Sequence, residues 1–184
     1  MTGAQASAPV IETARLRLRG HRRSDFADCC AMWADPRVTK YIGGTPSTQQ
    51  QTWARILTYT GHWQLMGYGY WAIEEKHSGA FVGEIGFADF KRAIDPSMSG
   101  VPELGFALAS AFHARGYAAE AVSAVLAWGD EQWPGGRTVA IVSPENSASL
   151  HLLERAKYVQ FKAVTFNGKE TSLFERQLGA RQSS

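Results

Sequence analysis

The residues best placed to do chemistry lie in one segment, 103–132. A strand-like run, Glu103–Leu108, gives way to a loop that ends on Gly116, and Tyr117–Gln132 then has the composition of a long helix. The first N–H groups of a helix have no partners within it. They carry partial positive charge, which the helix dipole reinforces. Glycine at 116 lets the backbone come close to a ligand, and Arg115 sets a cation beside those amides. This combination can hold a phosphate or pyrophosphate, although the same residues would also make an ordinary strand-to-helix turn. The loop lacks both G-x-x-x-x-G-K-[ST] and G-x-G-x-x-G, so it is neither a P-loop nor a dinucleotide fingerprint. A second polar helix start falls at Asn146, with Ser149 three residues later. It reads equally as an N-cap.

Several elements must position these residues. Arg15–Arg19 alternates arginine with leucine, which predicts a strand whose arginines share a solvated face. Ser24 offers an N-cap to a helix carrying Phe26, Cys29, Cys30 and Trp33, and Asp35-Pro36 stops it. Thr45-Pro46 suggests the start of a second helix, about 47–65, with Trp53, Ile56 and Leu57 facing inward. Tyr70–Glu75 and Ala80–Phe90 form a strand pair, and Lys91–Pro102 is a loop. Strand 138–142, a helix over about 147–157 and a hairpin of 159–166 with 169–178 across Asn167-Gly168 complete the chain. The order β-α-α-β-β-β-α-β-α-β-β predicts an antiparallel meander followed by a right-handed β-α-β unit. The expected fold is α/β (α+β): a mixed, mostly antiparallel twisted sheet of about seven strands with about four helices on its two faces.

Composition bounds the rest. The chain has 184 residues, 45% hydrophobic and 20% charged, which fits one globular domain. We expect that domain over 14–178, with short tails at 1–13 and 179–184. Nineteen basic against 17 acidic residues leave a net charge of +2, too little for a dedicated nucleic-acid binder. The adjacent Cys29 and Cys30 suit neither an ordinary disulfide nor a metal-ligand spacing, so no metal is expected. A reducing, cytoplasmic setting fits. The first ten residues lack the pattern of a signal peptide, and no apolar run approaches the length of a membrane span.

His113-Ala114-Arg115-Gly116-Tyr117-Ala118 resembles the Q/R-x-x-G-x-G/A pyrophosphate loop of the GNAT acetyltransferase superfamily. The stretch Phe112–Ala121 looks like its RimJ/RimL-like branch. Three further matches lie in register. They are the opening Thr13–Arg19 with Asp25, Trp33, Asp35-Pro36 and Tyr41; the pair Asn146 and Ser149; and the terminal Phe174-Glu175-Arg176. Together they span about residues 12–178. The resemblance implies acyl transfer from acetyl-CoA to an amine, either a protein N-terminus or a small primary amine, by direct attack in a ternary complex. It also implies a sheet splayed between its two central strands. The pantetheine arm would bond to the strand backbone at Phe106, Ala107, Leu108 and Ala109. The pyrophosphate would sit on the loop and helix start at His113, Ala114, Arg115, Gly116, Tyr117, Ala118 and Ala119, and Asn146 would reach the pantetheine arm. Members are often monomers or homodimers, and no membrane or nucleic-acid partner is implied. A coenzyme A-binding regulatory module without turnover is the alternative.

Such a reaction needs a base for the protonated amine, a donor for the oxyanion and an acid for the departing thiolate. Glu103, in a Glu-Leu-Gly-Phe pattern matching the branch, is the favoured base, and Glu84 on the neighbouring strand is its rival. Ser149 is the favoured acid, because the superfamily's usual tyrosine position is Leu153 here. Two departures stand out. His113 occupies a position where Gln or Arg is usual, and Lys157-Tyr158 replaces Gly-Phe, so the left-handed cap of that helix is expected to be lost. In this family the region around Trp53, Tyr59, Trp63, Tyr68, Tyr70 and Trp71 walls the acceptor pocket.

Overall fold

Leu16 and Leu18 are fully buried, and the strand they define, β2 (Leu16–Arg19), lies near one edge of the sheet. The computed structural model describes residues 7–179. The expected tails therefore fall partly outside the described residues, at 1–6 and 180–184. Within 7–13 the chain is tied down. Ile11–Glu12 (β1) pairs antiparallel with β2, and Pro9 O accepts from Trp71 Nε1 at 2.7 Å. Arg19 also departs from expectation. Its guanidinium is buried in a bidentate pair with Asp25 and a contact to Glu74, both at 2.8 Å at closest approach. Strand alternation alone did not show that two carboxylates would cover this face.

Asp25, and not Ser24, organises the entry to α1 (Phe26–Ala34), by accepting from the Arg22 amide at 2.7 Å. After Asp35 the chain continues as a short α2 (Pro36–Thr39), because the Asp35 side chain caps the Arg37 amide. Helix α3 (Gln49–Met66) starts at Thr48 and not at Thr45. Thr48 and Gln51 satisfy each other's backbone amides in a capping box. That start sets which face is inward: Thr52, Ile56, Tyr59 and Trp63 are buried, whereas Trp53 and Leu57 are exposed.

Strands β3 (Tyr70–Glu75), β4 (Phe81–Ala88) and β5 (Glu103–Leu108) form the expected meander. Helix α4 (Tyr117–Gln132) returns the chain to β6 (Arg137–Val142), parallel to β5. Helix α5 (Ser147–Arg155) and the hairpin β7 (Val159–Phe166) and β8 (Lys169–Gln177) follow. Among the described residues the sheet has eight strands in the order β1-β2-β3-β4-β5-β6-β8-β7, and five α-helices flank it. The strand beyond the expected seven is β1.

Each face has its own core. On one, Val122, Val125 and Leu126 of α4 pack on Leu18, Ile73, Ile85 and Leu104. An edge-to-face chain of indoles lies beside them, with Trp63–Trp71 at 4.6 Å, Trp71–Trp128 at 5.1 Å and Trp128–Trp133 at 5.4 Å. On the other, Cys29, Met32 and Trp33 of α1 pack with Ile56 on Ala72, Phe81 and Ala107. Cys29 is thus a packing residue.

Helix α5 keeps its left-handed cap after all. Lys157 itself adopts φ +63°, and the Tyr158 amide reaches back to Leu153 O at 2.9 Å. The hydrogen bond that closes the helix end outweighs the steric cost of a side chain there.

Candidate active site

The site begins where the sheet fails to close. Strands β5 and β6 share one register pair, Glu103 with Val139, beside a bond from Val139 N–H to Pro102 O at 3.0 Å. Beyond it they diverge, as expected for the two central strands. The opening is a cavity of about 740 Å³. Strand β5 supplies Glu103, Gly105, Phe106 and Ala107 to its wall, and β6 and α5 supply Ile141, Asn146 and Ser149.

Backbone alternation decides which groups of β5 face this gap. The Ala109 amide donates to Val82 O at 2.9 Å, so Ala109 and Ala107 turn their backbone groups toward β4. Phe106 and Leu108 turn theirs toward the opening, and Leu108 O is taken by His113 Nε2 at 2.9 Å. Of the expected run Phe106–Ala109, Phe106 therefore keeps both edge groups available. A carbonyl can only accept, so His113 Nε2 carries the proton in this bond. That nitrogen is engaged internally and is not turned to a phosphate.

The loop itself has the expected form. Gly116 is the N-cap of α4 at φ +78°, and Ala114 is also left-handed at φ +57°. The amides of Tyr117, Ala118 and Ala119 form the open first turn. Glu120, in that same turn, is pinned by Thr13 Oγ1 at 2.6 Å and by Arg15 Nε at 2.7 Å. Arg115 is less free than the sequence suggested. It pairs with Glu75 at 3.3 Å and lies over the Tyr117 ring at 4.9 Å, while Tyr117 OH also bonds Glu75. Arg15, whose Nη1 donates to Arg115 O at 3.0 Å, adds a second cation. Residues 113–118 do not line the large cavity. Ala119 instead borders a separate groove of about 430 Å³ between α4 and α5, with Arg155 and Lys157 across from it.

The two candidate bases differ sharply. Glu103 is clasped by Arg92 in a bidentate pair at 2.8 and 2.9 Å. Glu84 lies at the inner wall, fully buried, and accepts only from Trp33 Nε1, at 3.0 and 3.2 Å. Burial pushes the Glu84 carboxyl up to about 7, against the opposing pull of the Trp33 bond and the Arg55 charge. His21 Nε2 stands 3.9 Å from Glu84 and has no hydrogen-bond partner. Burial holds the imidazole down to about 4, so it is neutral near pH 7. With Cys29 Sγ these donor atoms lie within 4.8 Å of one another, a cluster that linear spacing does not reveal.

Asn146 caps α5 by accepting from the Ser149 amide at 3.1 Å, and both residues border the cavity. Leu153, at the usual tyrosine position, is completely buried. Tyr158 does not replace that tyrosine, because its hydroxyl is buried against Thr138 Oγ1 at 2.7 Å. Of the aromatics expected around the acceptor, Tyr59 and Tyr70 line the cavity as a parallel stack at 4.1 Å. Gly105 makes room for Tyr70, since a Cβ there would meet its hydroxyl. Trp63, Tyr68 and Trp71 belong to the core, and Trp53 sits outside against Phe26.

Sequence reasoning did not single out Arg55, and it placed Glu84 second to Glu103. Both had a signal. Glu84 is the one ionisable residue in the otherwise apolar Phe81–Ala88, and Arg55 is the one Lys or Arg, with no Asp or Glu, in Gln49–Met66.

A splayed mixed sheet with a left-handed glycine at the head of the crossover helix is the architecture of coenzyme A-dependent acetyltransferases. The model of the acetyltransferase (GNAT) domain family matches residues 15–159. An uncharacterized N-acetyltransferase, p20, of Bacillus licheniformis is 31% identical over 150 residues, which are 81% of this chain and 82% of that protein. A putative GNAT-family acetyltransferase structure from Bordetella pertussis superposes with a TM-score of 0.81 at 33% identity, covering 92% of this chain and 99% of that one. RimL, a ribosomal-protein acetyltransferase solved with coenzyme A, shares the fold with a TM-score of 0.75 at 17% identity over 94% and 99% of the two chains. The chain belongs to the acetyltransferase (GNAT) family and is an N-acetyltransferase. Acetyl-CoA is the acyl donor of that class. Among the described residues, no helix is long and apolar enough to cross a membrane.

Proposed function

We propose that this enzyme moves the acetyl group of acetyl-CoA directly to a primary amine in a ternary complex, with Glu84 as the base. The observation that carries this reading is a single cavity that has the free backbone edge of Phe106 on one wall and a buried, partner-poor carboxylate on another. The residues present suit the donor. Phe106 can pair with an amide-bearing arm across the splay, and Asn146 stands on the facing side. The first turn of α4, with Arg15 and Arg115 beside it, suits an anionic pyrophosphate.

Glu84 fits the proton-transfer task because its affinity for a proton is matched to neutral pH, where a general base is most effective. Glu103 is already neutralised by Arg92, which makes it a poorer acceptor of the amine's proton. Negative charge developing on the acyl oxygen would meet the N–H edge of β5. Ser149, which borders the cavity beside Asn146, is the candidate acid for the departing sulfur.

The test is thiol release from acetyl-CoA with peptides of varied first residue, polyamines, aminoglycosides and amino acids, followed by the mass shift of the product. We expect thiol release that depends on an amine and a gain of one acetyl group. Tight coenzyme A binding with no release on any amine would mark a binding module instead.

A further inference from the structure

Arg55 stands out in the acceptor side of the cavity because no ion pair holds it among the described residues, Glu84 being the carboxylate that its charge reaches. Arg92 is closed on Glu103, and at the rim Lys169 donates to Gly43 O at 3.0 Å while Lys40 lies 4.8 Å from the Tyr41 ring. Arg55 instead lays its guanidinium 3.8 Å from the Trp33 ring centre and touches the Tyr59 hydroxyl, and its Nε is buried without a hydrogen-bond partner. The residue is partly buried, and a guanidinium nitrogen shut off from water without a partner is costly. Its planar fork is shaped for a carboxylate.

The Trp33 indole links this cation to Glu84, since one face carries Arg55 and the ring N–H holds the carboxylate. A cation and a proton-accepting carboxylate thus flank one aromatic plate inside one cavity. That arrangement is complementary to a small molecule carrying an amine and a carboxylate a few bonds apart.

We infer that the acceptor is a small amino carboxylate, with its carboxylate on Arg55 and its amine toward Glu84. The inference rests on the acyl-transfer reading and narrows it. A protein N-terminus offers a neutral peptide carbonyl where an amino acid offers a charge, so it would leave Arg55 unpaired.

The test compares the standard L-amino acids, β-alanine and γ-aminobutyrate with their carboxamides, in thiol release by the wild type, Arg55→Gln and Arg55→Lys. For at least one pair, the wild type should favour the carboxylate at least tenfold in kcat/KM. Arg55→Gln should bring that ratio close to one, and Arg55→Lys should leave it in between. Carboxamides or peptides used as well as the free acids would overturn the inference. So would an Arg55→Gln variant that slows both members of a pair equally, since Arg55 would then act only through Glu84. Melting temperatures with coenzyme A present separate this inference from the acyl-transfer reading. If no amine releases thiol, stabilisation by a free acid but not its amide, lost in Arg55→Gln, upholds Arg55 as the carboxylate partner and retires the proposed transfer to an amine. Absence of stabilisation by every free acid, together with absence of turnover, overturns both.

Discussion

Glu84 is held by a balance of local forces, and its protonation carries consequences for both rate and stability. Its folded value of about 7 lies above the ordinary 4.5 because burial disfavours the charged form. Below pH 4.5 both folded and unfolded chains hold the proton. As pH rises toward 7 the unfolded chain gives it up first, so stability falls, by about 3 kcal/mol in all. His21 works in the opposite sense. Its value is held down from 6.5 to about 4, so the stability it supports is lost as pH falls through that window. Glu84→Gln should therefore be more stable than the wild type at pH 8 and lose that advantage below pH 4.5, in urea unfolding at the two pH values. The same variant should lose about 10² to 10⁴ in turnover with coenzyme A affinity unchanged. Wild-type kcat/KM should rise with pH around 7. Glu103→Gln should behave differently: it leaves the partly buried Arg92 without its partner, so it should cost about 1–3 kcal/mol of stability and less turnover than Glu84→Gln. A larger rate loss for Glu103→Gln would return the base to Glu103.

At the scale of elements, the start of α4 and the end of α5 are built from backbone geometry and not from a nucleotide motif. Gly116 provides the left-handed turn into α4, and the Thr13–Arg15–Glu120 contacts hold that first turn against β2. The opposite arrangement appears after α5, where Lys157 occupies a left-handed position that glycine adopts at lower cost. Lys157→Gly should raise stability by about 1 kcal/mol in urea unfolding, provided the Tyr158–Leu153 bond is retained. A loss of stability would show that the lysine stem packs on its neighbours by more than its backbone costs.

At the scale of the molecule, a sheet that is continuous over β1–β5 and over β6–β8 is joined by one register pair. The core under α4, which takes in Ala140 and Phe174 as well as Leu104 and Leu108, keeps the two parts together where strand pairing stops. Hydrogen exchange should report this directly. The Phe106 amide, facing the opening, should exchange quickly in the free protein and slow when coenzyme A is added. The Ala109 amide, bonded to Val82 O, should remain protected in both. Equal protection of Phe106 with and without coenzyme A would place the donor elsewhere.

The sequence by itself determined most of the elements and the form of the loop before α4. Hydrophobic period, the Asn167-Gly168 turn and the Arg115-Gly116 helix start are local signals, and local physics turns them into strands, turns and an open helix end. The sequence favoured Glu103 over Glu84 without access to which carboxylate receives Arg92 and which is sealed under Trp33. Nor could it see Arg19 buried between two acids, Arg115 drawn to Glu75, or Arg55 left without an ion pair beside Glu84. Each of these depends on partners far away along the chain. Burial and charge pairing are properties of the packed molecule, so only the tertiary structure decided them.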